Sequence, residues 1–415
     1  MLRIRDEFRR GQVAVGSLFL LLGFQYATWV SRLPAIKARL GLSDAEVGLL
    51  LMVCGVGAAA SFPLVAALMK WLGSRGLCVA SAALLGLLPL ALGVAPDYAV
   101  ALIIVCCDGV GVACLDVAMN AQGTELEERF DRKAMGKLHA TFSAGSLCGA
   151  LLASAVNAAT SDVSVHFGVA AILILALLAY AQRDLLTPLP QAEPMPEAAA
   201  PEVAENAPSS PKKRAFGIPL PTRLTLWLGL AMAFGTIVEG AMNDWSALYL
   251  KNVAKAAAGL TPMGIAVFSI AMVLARVFSD SWRKRWGDGP VVVLGSAFAG
   301  LGLATGVLVG GVFPALLGFA CVGLGIAAVT PCVYVAAAGA GTDALALVAA
   351  MGTVGLLAGP GLIGLIASGA GLAWGMGAVA LAAAAVAACT TRIAWTPRPT
   401  AVPTSPVLAV VDIES

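Results

Sequence analysis

Twelve apolar stretches, each closed off by charge, proline or glycine, run through this chain of 415 residues. A bilayer core about 30 Å thick is crossed by roughly 20 apolar residues of helix. The first six candidates fall at 12–32, 44–68, 76–95, 98–122, 135–158 and 163–181. The second six fall at 222–250, 259–281, 290–309, 312–338, 343–368 and 371–391. Charged residues make up only 12% of the chain, about half the share of a soluble domain, so these stretches cannot be wrapped in a water-facing surface. The first run has no small-residue cleavage site before Ser31-Arg32, so it reads as an uncleaved helix and not a secretory signal. The expectation is an all-α membrane protein of twelve transmembrane helices.

The balance of Lys and Arg orients the chain. With the N-terminus inside, the inner segments hold 20 of the 26 basic residues. The outer loops hold five, namely Arg32, Lys37, Arg39, Lys251 and Lys255, and Arg276 lies within span 8. Such a loop-by-loop alternation predicts a multi-pass protein of a cytoplasmic (inner) membrane with both termini cytoplasmic.

Residues 183–221 hold nine prolines, five acids and the cluster Lys212-Lys213-Arg214, a composition that cannot bury apolar area. They read as a disordered cytoplasmic linker between bundles at 1–182 and 222–391, and residues 392–415 read as a disordered tail. At an offset of 214, Gly73, Gly86, Gly109, Gly111 and Gly145 fall on Gly287, Gly300, Gly323, Gly325 and Gly359. Parallel six-helix repeats of this kind build transporter halves; close helix packing through glycine is the alternative reading, and both can hold.

Strongly polar groups inside the spans carry the functional signal, because a charge at the bilayer centre costs about 2.5–3.5 kcal/mol on insertion scales. Gln25 and Trp29 in span 1, Asp116 and Asn120 in span 4, Glu239 and Asn243 in span 7, and Thr330 and Tyr334 in span 10 are each spaced i, i+4, on one helix face. The same offset carries Gln25 to Glu239 and Asp116 to Thr330. A polar cavity between two halves needs this arrangement; interhelical bonding that merely holds a bundle together is the plainer alternative. His139, at the inner start of span 5, is near enough in depth to Asp116 and Asn120 to pass protons. Asp108 sits closer to mid-depth, while His166 reads as an ordinary interfacial residue. Asp244, about 140° around the helix from Glu239, suits a gate.

The stretches DVAMNAQG (116–123), KLHATFSAGSLCGA (137–150) and EGAMNDWSALYL (239–250) resemble the MosC-like branch of the major facilitator superfamily, over all twelve spans. The resemblance implies two six-helix pseudo-repeat bundles rocking about a central site lined by spans 1, 4, 7 and 10. The superfamily's loop between spans 2 and 3 carries an acid before its glycine; here Gly73 and Arg75 are present but Lys70 takes the acidic place. The second copy, ARVFSDSWRKRWG (275–287), keeps Arg276 and Asp280, so a charge latch is expected to rest there. The drug-antiporter signature of span 5 is missing, since residues 144–149 hold no proline.

These readings predict a proton-coupled secondary transporter. Asp116, Glu239 and His139 are the proton-coupling groups. Gln25, Trp29, Asn120, Asn243, Thr330 and Tyr334 bind a small polar solute, and Arg276, Asp280 and Asp244 gate. The expected partners are the solute, the proton and the lipid bilayer, with no nucleic acid, since the net charge is +2. The nine cysteines lie in apolar stretches without a CxxC pair, so no metal and no cofactor are expected. The chain is expected to act as a monomer and not as an enzyme, there being no nucleophile–base set. The rival is a transporter-like sensor that binds solute without net transport.

Overall fold

The computed structural model describes residues 6–132, 134–187 and 222–395, apart from the side chains of Gly136, Asp280 and Thr342. Most of these residues are helical, with no strand among them. In chain order the helices are α1 (Glu7–Val30), α2 (Leu33–Leu40), α3 (Asp44–Ala60), α4 (Phe62–Gly93), α5 (Tyr98–Phe130), α6 (Met135–Ala159) and α7 (Val163–Ala181). Then come α8 (Arg223–Asn252), α9 (Met263–Trp286), α10 (Asp288–Val309), α11 (Val312–Ile326), α12 (Val329–Gly339), α13 (Thr342–Ala370) and α14 (Leu372–Thr390). Most of the predicted linker and tail lie outside the described residues.

Eleven helical runs among the described residues are long and apolar enough to cross a membrane. The predicted twelve are recovered once α4 is read as two helices. Ser61 keeps α-helical torsions between α3 and α4, so span 2 continues to residue 72. The chain then turns at Gly73, whose φ of 69° and ψ of 171° only glycine adopts without strain. Gly287, its mate in the repeat, turns α9 into α10 at φ 83° and ψ 163°. Span 10 is divided between α11 and α12 by a break at Ala327 and Ala328.

α2 was not expected. Arg39 pins it by donating to the carbonyls of Leu92 and Ala95, both at 2.7 Å. Lys37 pairs with Asp44 at the start of α3. At the opposite end, Asp6 caps α1 and accepts from Arg132 at 3.1 Å, which holds its carboxyl below the usual carboxylate range.

The two halves pack alike. α1 packs chiefly on α6 in the first, and α8 on α13 in the second. α5 packs on α3 and α4, as α11 packs on α9 and α10. The repeat extends to single contacts. A Cβ on Gly109 would meet the Cys54 carbonyl oxygen at 1.9 Å, and one on Gly323 would meet that of Phe268 at 2.5 Å. The offset of 214 that relates the glycines also relates Cys54 to Phe268. The fold is therefore two six-helix pseudo-repeat bundles, joined mainly through α3 on α13 and α6 on α9.

Candidate functional site

The halves close at the end far from Asp6 and Trp395. There Asn157 and Ser154 of α6 donate across the boundary to the carbonyls of Ala258 and Gly259. α3 and α13 touch through backbone, a Cβ on Gly48 lying 2.8 Å from the Pro360 carbonyl oxygen. Arg32 is buried at this end, where it holds Asn157 and donates from Nε to His166 Nδ1 at 3.2 Å. His166, read from sequence as an ordinary interfacial residue, is thus an acceptor inside the seal. Along α8 the change is abrupt: Glu239 and Asn243 are partly accessible, whereas residues 244–250 are all buried.

Toward Asp6 and Trp395 the boundary opens onto polar side chains. Asp116 is exposed on α5 and accepts from Asn120 Nδ2 at 3.2 Å, so the i, i+4 face forms. His139 on α6 is exposed too, within electrostatic range of Asp116 and Arg276, its ring edge-on to Phe19 at 4.9 Å. On α8, Asn243 donates to the Glu239 backbone carbonyl at 3.0 Å.

The sequence reading assigned Arg276 and Asp280 to a gate and Glu239 to proton coupling, and did not foresee that Arg276 and Glu239 meet. Arg276 Nη2 meets Glu239 Oε1 at 3.3 Å, and Nη1 donates to Ser143 Oγ on α6 at 3.3 Å. One guanidinium therefore joins α6 of the first half to α8 of the second. The Asp280 side chain lies outside the described residues. Arg283 makes a two-point bond with Asp288, at 2.9 and 3.2 Å, across the Gly287 turn.

Deeper in, a second polar layer is sealed. Gln25 is fully buried and donates to Asp108 Oδ1 at 2.7 Å, while the Cys54 thiol lies 4.0 Å from Oδ2. Tyr26 donates to the buried Asp244 across the boundary between halves, so the predicted gate residue holds an inter-half bond. Gln25 and Trp29 are buried, unlike the accessible Asp116, His139 and Glu239. Trp29 is 1% exposed, and the void it shares with Asp108 is ≈ 10 Å³, no more than one water fills. This separates them from Asp116 and Glu239, with which the sequence reading grouped them. Thr330 is half-buried and Tyr334 exposed on α12, and neither bonds to the cluster among the described residues.

Sequence reasoning missed Tyr26 and Ser143. The signal for Tyr26 was present, a phenol beside Gln25 in an apolar span, but its partner lies in the other half. Tyr26→Phe leaves the buried Asp244 carboxylate without its donor, at a cost of about 1–3 kcal/mol. We expect the distal seal to open about tenfold more often, measured as a longer distance between spin labels at Ala159 and Lys255 in a cysteine-free background. An unchanged distance distribution removes Tyr26 from the seal.

Two pseudo-repeat six-helix halves, sealed at one end around buried polar pairs and accessible at the other, define a transporter-type membrane protein. The Major Facilitator Superfamily model matches residues 13–341, and the chain belongs to that family. It is 30% identical to an uncharacterised MFS-type transporter of Yersinia pestis over 389 residues, covering 91% of this chain and 94% of that one. It is 26% identical to membrane protein MosC of Rhizobium meliloti over 363 residues, covering 86% and 84%. Among solved structures, the nucleoside transporter NupG superposes with a TM-score of 0.70 at 13% identity, over 93% of this chain and 98% of that one. A bacterial homologue of the human lysosomal transporter Spinster, inward-facing and occupied, gives 0.70 at 14% identity, over 94% and 97%.

Proposed function

We propose that this chain is a secondary transporter that carries a small polar solute by alternating access, with a proton exchanged at the Asp116–His139 pair. The observation that carries the reading is the asymmetry of the boundary, bonded shut beyond Tyr26–Asp244 and accessible at Asp116, His139 and Glu239. A solute entering from the open end meets amides (Asn120, Asn243), two carboxylates and the Arg276 fork, a set suited to hydroxyl-, amine- or carboxyl-bearing molecules. The basic residues concentrated at the end nearer Asp6 and Trp395 support cytoplasmic termini; this conformer is then inward-open.

The split between Asp116 and Glu239 gives the proton reading its support. Glu239 has Arg276 to balance its charge, so uncoupling it from protons costs little. Asp116 has an amide partner, Asn120, and both Asp116 and the His139 imidazole are accessible, two groups able to take up and release a proton. Solutes that raise the melting temperature of the purified protein are assayed for accumulation in proteoliposomes under an imposed pH gradient. Asp116→Asn is expected to abolish gradient-driven accumulation while sparing solute exchange, and Glu239→Gln to weaken solute binding. Accumulation indifferent to the gradient overturns the proton assignment; binding without accumulation identifies a sensor.

A further inference from the structure

We propose that the outer face of the second half carries a binding slot for one anionic phospholipid, at the junction of α9, α10 and α11. α10 packs principally on α11 and α14 of its own half. Its exposed residues Leu294, Phe298, Leu301 and Leu308 form one apolar stripe facing away from the first half. In a bilayer that stripe meets acyl chains, since helices present apolar side chains wherever lipid contacts them.

The surface is not flat there. Gly295 and Gly325 bring α10 and α11 to backbone contact, a Cβ on Gly325 lying 2.1 Å from the Gly295 carbonyl oxygen. The missing side chains leave a cavity of ≈ 690 Å³. Trp282 and Trp286 of α9 wall one side, and Leu294 and Phe298 of α10 the other, with Leu324 of α11 also lining it.

α9, whose Trp282 and Trp286 line the slot, closes in the basic run Arg283-Lys284-Arg285 next to Trp286. Among the three basic residues closing α9, Arg283 is engaged by Asp288. Lys284 and Arg285 are exposed and have no carboxylate partner among the described residues; Arg285 lies 5.9 Å from the Trp286 ring. An apolar slot lined by tryptophan, beside two exposed cations that have no carboxylate partner among the described residues, complements a molecule with an acyl chain and a phosphate. A free phosphate ion uses only the cations and leaves the walls wet. Juxtamembrane cations attract anionic headgroups, and tryptophan favours the headgroup level, so the cations hold the headgroup and the slot the chain.

The test uses the full chain purified in detergent and titrated with phosphatidylglycerol or phosphatidylcholine of the same chains, with bound lipid read by native mass spectrometry. One phosphatidylglycerol is expected to be retained about tenfold more tightly than phosphatidylcholine, and Lys284→Gln/Arg285→Gln to erase that preference. Phosphatidylglycerol with brominated chains is expected to quench tryptophan fluorescence, less so in Trp286→Phe and unchanged in Trp374→Phe. Equal retention of both lipids, or a preference that survives the double substitution, overturns the proposal. Quenching that depends on Trp374 does so as well, by placing the lipid in the groove of ≈ 700 Å³ between α10 and α14.

Discussion

Arg276→Gln is expected to reduce transport by about tenfold to a hundredfold while leaving the protein folded. Each charge-assisted hydrogen bond is worth about 1.5–3 kcal/mol where water is excluded, and 1.4 kcal/mol is tenfold. The pair with Glu239 is only partly shielded, side-chain exposure being 38% for Arg276 and 30% for Glu239. Its share of stability is therefore small, as for other solvated ion pairs. What the substitution removes is geometric: Nη1 reaches Ser143 on α6 while Nη2 reaches Glu239 on α8. Lysine, with a single point of charge, is expected to restore only part of the activity. A double-mutant cycle with Glu239→Gln separates the roles. If the double variant transports better than either single one, charge balance is what the pair supplies. Wild-type rates in Arg276→Gln remove the residue from the mechanism.

Gly145→Ala is expected to be the more damaging change to the fold, although it adds one methyl. A Cβ at Gly145 lies 2.0 Å from the Leu20 carbonyl oxygen, and one at Gly23 lies 2.0 Å from that of Phe142. α1 and α6 therefore cross with backbone on backbone, as small residues allow in membrane helices. The methyl forces the helices apart by more than 1 Å, because ordinary contact begins near 3.4 Å. Overpacking of this kind costs about 1–3 kcal/mol or more. This pair is the principal helix contact of the first half, so a large loss of folded protein is expected. Gly168→Ala is the control, since nothing lies within 4 Å of the added carbon. Size-exclusion profiles and melting temperatures of the two variants check the ranking; equal stability would show that the crossing relaxes freely.

The glycine pattern shows how far a sequence can be read here. Five coincidences at one offset suggest a repeat, and four of the pairs do matching work in the fold, whereas Gly145 abuts the Leu20 carbonyl and Gly359 makes only ordinary contact with Ile237. Gly73 and Gly287 turn the chain; Gly86 packs α4 on α7 as Gly300 packs α10 on α14. Gly111 meets Leu85 where Gly325 meets Ala299, again at the same offset. Glycine is legible because its role is local, a torsion or a missing Cβ. The i, i+4 face of Asp116 and Asn120 was legible for the same reason, since helix geometry alone places both side chains together.

Partner choice was not legible. Arg276 reaches Glu239, 37 positions away, and Tyr26 reaches Asp244, 218 positions away. These spans are apolar nearly all round, so no hydrophobic stripe tells which face turns inward. The rotation of each helix is set by which neighbours its small residues admit. Trp29 illustrates the consequence: it shares a helix face with Gln25 as expected, yet packing at the sealed end buries both.

The sequence by itself determined how many times the chain crosses the bilayer, that its halves repeat, and which residue types are sunk there. The first and last follow from the cost of placing polar groups in hydrocarbon, and the repeat from glycines at one offset; all are properties of residues one at a time. Only the tertiary structure decided that Glu239 is paired, that Gln25 and Trp29 are sealed, and which end stands open. Those depend on contacts between helices far apart in the chain, which exist only once two halves have met.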